Sequence, residues 1–251
     1  MNTTTDPRPA PAAPSLTLCE LGATGVPDLE SHSPFCLKVH RALKLAGLSY
    51  TSRRSNNPAA YRALNPIGQV PVLLVGERPV ADSTLVLHEI DRLRPGVLER
   101  GLDARGRAEA WLWEELADTA LNGFFVAARW ADETNWPLVR AAYFGAMPGP
   151  VRAIVPALLR RNVLKALVAR DVWRAGPDAC WGRYEALLDQ LDARAPREGF
   201  WMGTSPTVAD VALFAQLHGL RNELTARQRA MIASRPAVTA WLDRVDAATR
   251  G

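Results

Sequence analysis

Apolar and polar positions change rhythm several times along the 251-residue chain. Over residues 1–15 there is no rhythm at all. Thr, Pro and Ala surround Asp6 and Arg8 without an apolar run, which predicts a disordered tail and no secretory leader. Over 16–21 apolar and polar residues alternate as in a half-buried strand. A loop over 22–31, long for a strand-to-helix link, leads to Ser33-Pro34, an N-cap residue followed by proline at the first helical position. Phe35, Val39, Leu43 and Ala46 then recur at helical spacing, with Lys38, Arg41 and Lys44 on the other, polar side, and Gly47 stops the helix. A second strand is predicted at 48–53, one or two helical turns at 58–64, and an apolar β run at 70–75. After a turn at 76–79 come a brief strand at 80–81 and a helix capped by Asp82 or Ser83 that ends near Leu93.

Beyond Gly101 the β signal vanishes. Helical patterns cover 104–131, 156–173, 179–194, 207–220, 226–234 and 237–248, and a short segment at 135–149 is broken by Pro137 and Pro148. In the 156–173 helix, Leu158, Leu159, Val163, Leu164, Leu167, Val168 and Val172 spread round the wheel. That predicts neighbours on several sides, in the middle of a helical domain. The expected fold class is therefore α+β: an α/β domain over 16–97 followed by an all-α domain over 103–249.

Composition narrows the picture. Hydrophobic residues at 48% and charged residues at 22% describe a globular chain. No apolar run approaches the length of a spanning helix, so no membrane insertion is expected. Three scattered cysteines make no disulfide framework and fit a reducing, cytoplasmic setting. Thirty basic residues interleave with 26 acidic ones, without zinc spacing or a helix-turn-helix pattern, so nucleic acid is not the expected partner. Arg152, Arg160, Arg161, Lys165, Arg170 and Arg174 do not gather on one helical face, which favours solvated or inter-helix roles over contact with anionic lipid. His32 and His40 are candidate bases, with His40 placed on the solvated side of its helix. His88 and His218 stand apart, and no metal is expected.

Three segments carry candidate chemistry. In Ser31-His32-Ser33-Pro34-Phe35-Cys36, a hydroxyl sits at a helix N-terminus, where it can donate to a thiolate. Cys36 in the first turn would feel the same field, or is simply a small residue packed inward. In Asn65-Pro66-Ile67-Gly68-Gln69-Val70-Pro71, a proline opens a strand. The Val70-Pro71 bond is either an ordinary turn or a cis peptide that lets Val70 pair with an extended peptide. In Ala81-Asp82-Ser83-Thr84, a second helix N-terminus offers N–H donors, a hydroxyl and a carboxylate. That set suits a free amino acid, or serves only as a cap.

In order and spacing these segments resemble the glutathione transferase superfamily. Thr207-Val208-Ala209-Asp210 resembles the capping box of its helical half. The run Ser33-Pro34-Phe35-Cys36-Leu37-Lys38-Val39, with Phe200-Trp201-Met202-Gly203 ahead of Pro206-Thr207, resembles its failed-axon-connections and metaxin branch. The resemblance implies a thioredoxin-like first domain, glutathione as co-substrate, and a small apolar electrophile between the domains. It leaves homodimerisation open. Ser33 would face the glutathione sulfur, and Cys36 stands where a glutaredoxin carries its resolving cysteine. Val70 beside Pro71 would pair with the cysteinyl backbone, Asp82 and Ser83 would hold the γ-glutamyl end, and Gln69 would lie near the glycyl end. Trp111, Trp113, Phe124, Phe125 and Trp130 would line the acceptor pocket or fill the core. Two further readings follow: a thiol-disulfide reductase using Cys36, and a non-catalytic scaffold.

Overall fold

The computed structural model describes residues 14–169 and 172–250. Most of the expected tail, residues 1–13, and Arg170 of the basic set lie outside the described residues.

Strand β1 (Leu16–Glu20) is followed by helix α1 (Pro34–Leu45), strand β2 (Thr51–Arg54), a 3-10 turn at Pro58–Tyr61, strands β3 (Val72–Val75) and β4 (Arg78–Ala81), and helix α2 (Ser83–Leu93). The four strands lie in the order β2-β1-β3-β4, with β1 parallel to β2 and the other pairs antiparallel. Leu18 pairs with Ser52 on one side and Leu73 on the other. β1 is thus a central strand. All its residues except Thr17 are buried, Glu20 included, where alternation predicted one wet face.

Among the described residues the elements of the second half are all helical, apart from an isolated β-bridge between Phe200 and Gly203. Helix α3 (Ala104–Leu116) runs through a wider π-helical stretch at Ala117–Leu121 into α4 (Asn122–Val126) and a second such stretch at Ala127–Ala131. The long helix expected over 104–131 is therefore continuous but twice widened. Helices α5 (Trp136–Phe144), α6 (Gly149–Ala169), α7 (Gly176–Arg194), α8 (Val208–His218), α9 (Ala226–Ala233) and α10 (Pro236–Thr249) follow. Pro137 opens α5 where it was expected to break it, because proline is tolerated in the first turn.

Helix α8 is the axis of this half. Its capping box is formed: Thr207 and Asp210 satisfy each other's backbone, and Asp210 Oδ1 also accepts from the Trp201 N–H at 2.7 Å and from Trp241 Nε1 at 2.9 Å. One hydrophobic cluster runs from Leu18, Val39 and Leu87 through Phe124 to Leu213 and Trp241, so both halves share a core.

Two sequence expectations about burial are corrected. Helix α1 has no solvated side. Lys38 and Arg41 are each 1% exposed and His40 is buried, because α2, α8, α10 and the long helix that begins at α3 enclose α1 together with the sheet. Arg41 is neutralised by Glu30 at 3.1 Å and Asp246 at 2.8 Å, and its guanidinium lies over the Phe214 ring. His40 bridges Glu20 at 2.8 Å and the Tyr50 hydroxyl at 2.6 Å. Helix α6 errs in the opposite sense. It begins before Pro156, which lies inside it, and only Pro156 and Leu167 are buried. Leu158, Leu159 and Val168 are exposed, so α6 sits on the outside of the bundle.

Candidate functional site

A cleft of about 630 Å³ opens between the two halves. One wall carries Gln69, Val70, Pro71, Asp82 and Ser83, the five residues expected to meet the peptide part of glutathione. Phe35 and Ile67 add apolar surface, and the opposite wall, from the long helix, is polar: Glu115, Asp118 and Asn122.

Local structure explains each position. The Val70-Pro71 bond is cis, and Val70 is half-buried at the entry to β3. Gln69 is exposed, and its carbonyl accepts from Asn65 Nδ2 at 3.0 Å, closing the turn ahead of the strand. Asp82 caps α2 through Oδ1, which accepts from the Thr84 and Leu85 N–H groups at 2.9 and 3.2 Å. Its backbone lies at φ 82°, ψ 131°, a conformation that residues other than glycine rarely adopt. The next residue, Ser83, is buried, and its hydroxyl donates to Asp118 Oδ2 at 3.4 Å.

Ser33 caps α1. Its hydroxyl accepts from the Cys36 N–H at 3.3 Å, and its own N–H donates to Ser31 Oγ at 3.3 Å. Neither Ser33 nor Cys36 is on the cleft wall; Phe35, between them, is. Cys36 is completely buried. Burial pushes its thiol up to about 12, outweighing the hydrogen bond from Ser33 that opposes it, so the activated thiol considered from the sequence is not formed. His32 is buried too. Burial, assisted by the Arg129 charge, drives its imidazole down to about 4, and the ring rests 4.5 Å from that of Tyr143. Among the expected aromatic residues, Phe124 and Phe125 belong to the core, Trp111 and Trp113 pack against it, and none of the five lines the cleft.

Comparison with known families decides the relationship. Residues 34–135 match the family model for the glutathione S-transferase N-terminal domain, and residues 157–244 match that for its C-terminal domain. The chain belongs to the glutathione S-transferase family. Failed axon connections of Drosophila melanogaster is 26% identical over 218 residues, 79% of this chain and 49% of that protein, in agreement with the branch expected from the Ser33–Val39 run. A probable glutathione S-transferase of Nicotiana tabacum is 31% identical over 102 residues, 38% of this chain and 46% of that protein. The chain thus spans about half the length of the curated relatives it matches. Among solved structures, beta-etherase LigF from Sphingobium sp. strain SYK-6 superposes with a TM-score of 0.64 at 20% identity, over 94% of this chain and 97% of that one. A glutathione transferase family member from Pseudomonas fluorescens, with two glutathione bound, gives 0.61 at 20% identity over 95% and 91%.

Beneath the Asp82-Ser83 wall this transferase-family protein holds a charge network that sequence reasoning missed. Lys38 Nζ donates to Glu114 Oε1 at 2.6 Å and to Asp118 Oδ2. Thr84 Oγ1 donates to the same Glu114 oxygen at 2.7 Å. One buried cation therefore ties α1 and the first turn of α2 to the long helix. Burial pushes the Asp118 carboxyl up to about 6, with Glu114 adding repulsion and Lys38 opposing both. The available signal was the spacing of Glu114 and Asp118, like charges one turn apart, which call for a cation between them. Among the described residues, no group of three or more His, Cys, Asp or Glu is arranged to hold a metal ion.

Proposed function

We propose that this family member binds glutathione in the cleft and conjugates it, through its thiolate, to a small electrophile. The observation that carries the reading is the convergence of Gln69, Val70, Pro71, Asp82 and Ser83 on one wall beside the N-terminus of α2. In this reading the γ-glutamyl carboxylate meets Ser83 and its ammonium meets Asp82, a charge-assisted pairing. The cysteinyl backbone lies along Val70, and the sulfur points to the first turn of α1. There Ser33 turns its hydroxyl proton to the thiolate and lowers the thiol pKa, each unit being worth about 1.4 kcal/mol. The thiol proton passes to water, and the thiolate forms a bond to the electrophilic carbon as that carbon's bond to its leaving group breaks, the leaving group departing as an anion with the bonding pair. An apolar electrophile would rest against Phe35 and Ile67. Free, buried Cys19, Cys36 and Cys180 are compatible with the reducing, cytoplasmic setting proposed for it.

The glutathione held by the Pseudomonas fluorescens relative supports this assignment. A second reading, a non-catalytic glutathione-binding module, draws on Ser33, whose hydroxyl is engaged in capping and stands off the wall. Reduction through Cys36 is disfavoured by its burial. Calorimetric titration with glutathione is the test: saturable binding is expected, and its absence at millimolar ligand would defeat the proposal. Conjugation assays on the same sample then separate the transferase from the binding module.

A further inference from the structure

We propose that the outer face of α5 and α6 docks on an anionic lipid surface. Between Glu133 and Asp171 the chain has no acidic residue, while it carries Arg140, Arg152, Arg160, Arg161, Lys165 and Arg170. The set does not share one helical face, as the sequence indicated. The structure divides it: Arg160 turns inward while Arg161 and Lys165 stay outside beside exposed apolar residues, which revises the expectation against lipid contact. The inner side of α6 turns Pro156 and Leu167 into the bundle. Arg160 reaches back to the Trp130 carbonyl at 2.8 Å, with its guanidinium over the Trp136 ring.

The opposite side is a stripe at alternating spacings of three and four: Val151, Ile154, Leu158, Arg161, Lys165 and Val168. Every member is exposed, Ile154 at 61% and Leu158 at 49%. On α5, Leu138 is 50% exposed. A helix covered on one side normally presents a polar stripe to water, so apolar residues followed by two cations along the solvent side identify an interfacial face.

Charge chooses the occupant. Anionic headgroups pair with Arg161 and Lys165 while Ile154 and Leu158 enter the acyl boundary, so both kinds of residue are satisfied together. A nucleic acid would use the cations and leave the apolar residues wet. A second copy covering the whole stripe across a two-fold axis would bring together Arg161 and Lys165 of both copies, four cations, with no carboxylate on α6 to meet them. The helix is not a spanning one: no described helix is long and apolar enough to cross a membrane.

Co-sedimentation of the full chain with phosphatidylcholine vesicles, with and without phosphatidylserine, tests the proposal. Binding to the phosphatidylserine vesicles is expected, weakening with added salt, and much weaker binding to phosphatidylcholine alone. Two double variants, Ile154→Glu with Leu158→Glu and Arg161→Glu with Lys165→Glu, should each lower the affinity about tenfold or more. Their melting temperatures should stay near that of the parent, since all four side chains are exposed. Failure to bind phosphatidylserine vesicles at low salt would overturn the proposal, and so would unchanged binding by both variants. Binding lost only with Arg161 and Lys165 would assign the face to a polyanion. A dimer dispersed by the Ile154 and Leu158 changes would assign it to a second copy.

Discussion

Replacing Asp82 by glycine separates what this residue does for folding from what it does for the ligand. At φ 82°, ψ 131° a side chain is strained by about 1–3 kcal/mol, and glycine is not. Glycine in place of aspartate at an N-cap loses only a few tenths of a kcal/mol. The added freedom of the unfolded chain costs about 0.4–1 kcal/mol more. The net effect lies between about zero and a gain of 2 kcal/mol. For a chain of this size each kcal/mol moves Tm by about 2–4 °C, so Asp82→Gly should melt at the parent temperature or a few degrees above it. Binding should move the other way. Loss of a hydrogen bond to a charged group costs about 1.5–3 kcal/mol. Because Asp82 is exposed, the lower end applies, which is about a tenfold weaker Kd for glutathione. Calorimetric titration beside a thermal melt reads both. Parent-like glutathione binding would refute the placement of the γ-glutamyl ammonium, and a melt several degrees lower would refute the strain argument.

Ser33→Ala should slow conjugation while leaving glutathione affinity nearly unchanged, and it should lower Tm by about 2–4 °C through loss of a cap worth about 1 kcal/mol; an unchanged rate over a panel of electrophiles removes Ser33 from the chemistry. Lys38→Met strands Glu114 and Asp118 without their cation and should cost about 3–5 kcal/mol in urea denaturation. Asp118 carries a carboxyl raised above its unfolded value, so its contribution is most favourable below about pH 4 and is lost as pH rises through about 6. Stability of Asp118→Asn relative to the parent should accordingly improve over that interval, and a flat difference would contradict it. Cys36 should resist iodoacetamide in the native protein at pH 8 and react on unfolding, since its thiol is buried and pushed up to about 12; rapid native labelling would contradict the burial. Asp210→Ala leaves the Trp201 N–H and Trp241 Nε1 buried without an acceptor and should cost about 4 kcal/mol; a loss under about 1 kcal/mol would show that water replaces the carboxylate.

Much of the candidate site was legible because its signals are local. Ser33-Pro34, Asp82-Ser83 and Thr207-Asp210 are capping patterns, and capping is decided within four residues by hydroxyls and carboxylates that reach nearby N–H groups. Gly47 and Gly76 occupy left-handed positions where the sequence placed a helix stop and a hairpin turn. The second strand was placed three residues early because Leu48 and Tyr50 are apolar, yet they pack against the core from the loop before β2.

Long-range packing decided the rest. The sequence by itself determined the order of strands and helices, the caps that begin them, and five residues of the cleft wall, Gln69, Val70, Pro71, Asp82 and Ser83, though not that Phe35 rather than Ser33 or Cys36 faces it. All of these follow from propensity, periodicity and short-range hydrogen bonding. It did not determine burial. A helical wheel reports which face is more apolar, not whether the other face is also covered. On α1 that face is covered, so Lys38, His40 and Arg41 are buried and find partners from Glu20 to Asp246. On α6 the apolar residues of the outer face meet no neighbour among the described residues and remain exposed. Cys36 belongs to the same lesson. A position in the first turn suggested an activated thiol, but the packing around it excludes water, and desolvation of the thiolate outweighs the hydrogen bond from Ser33.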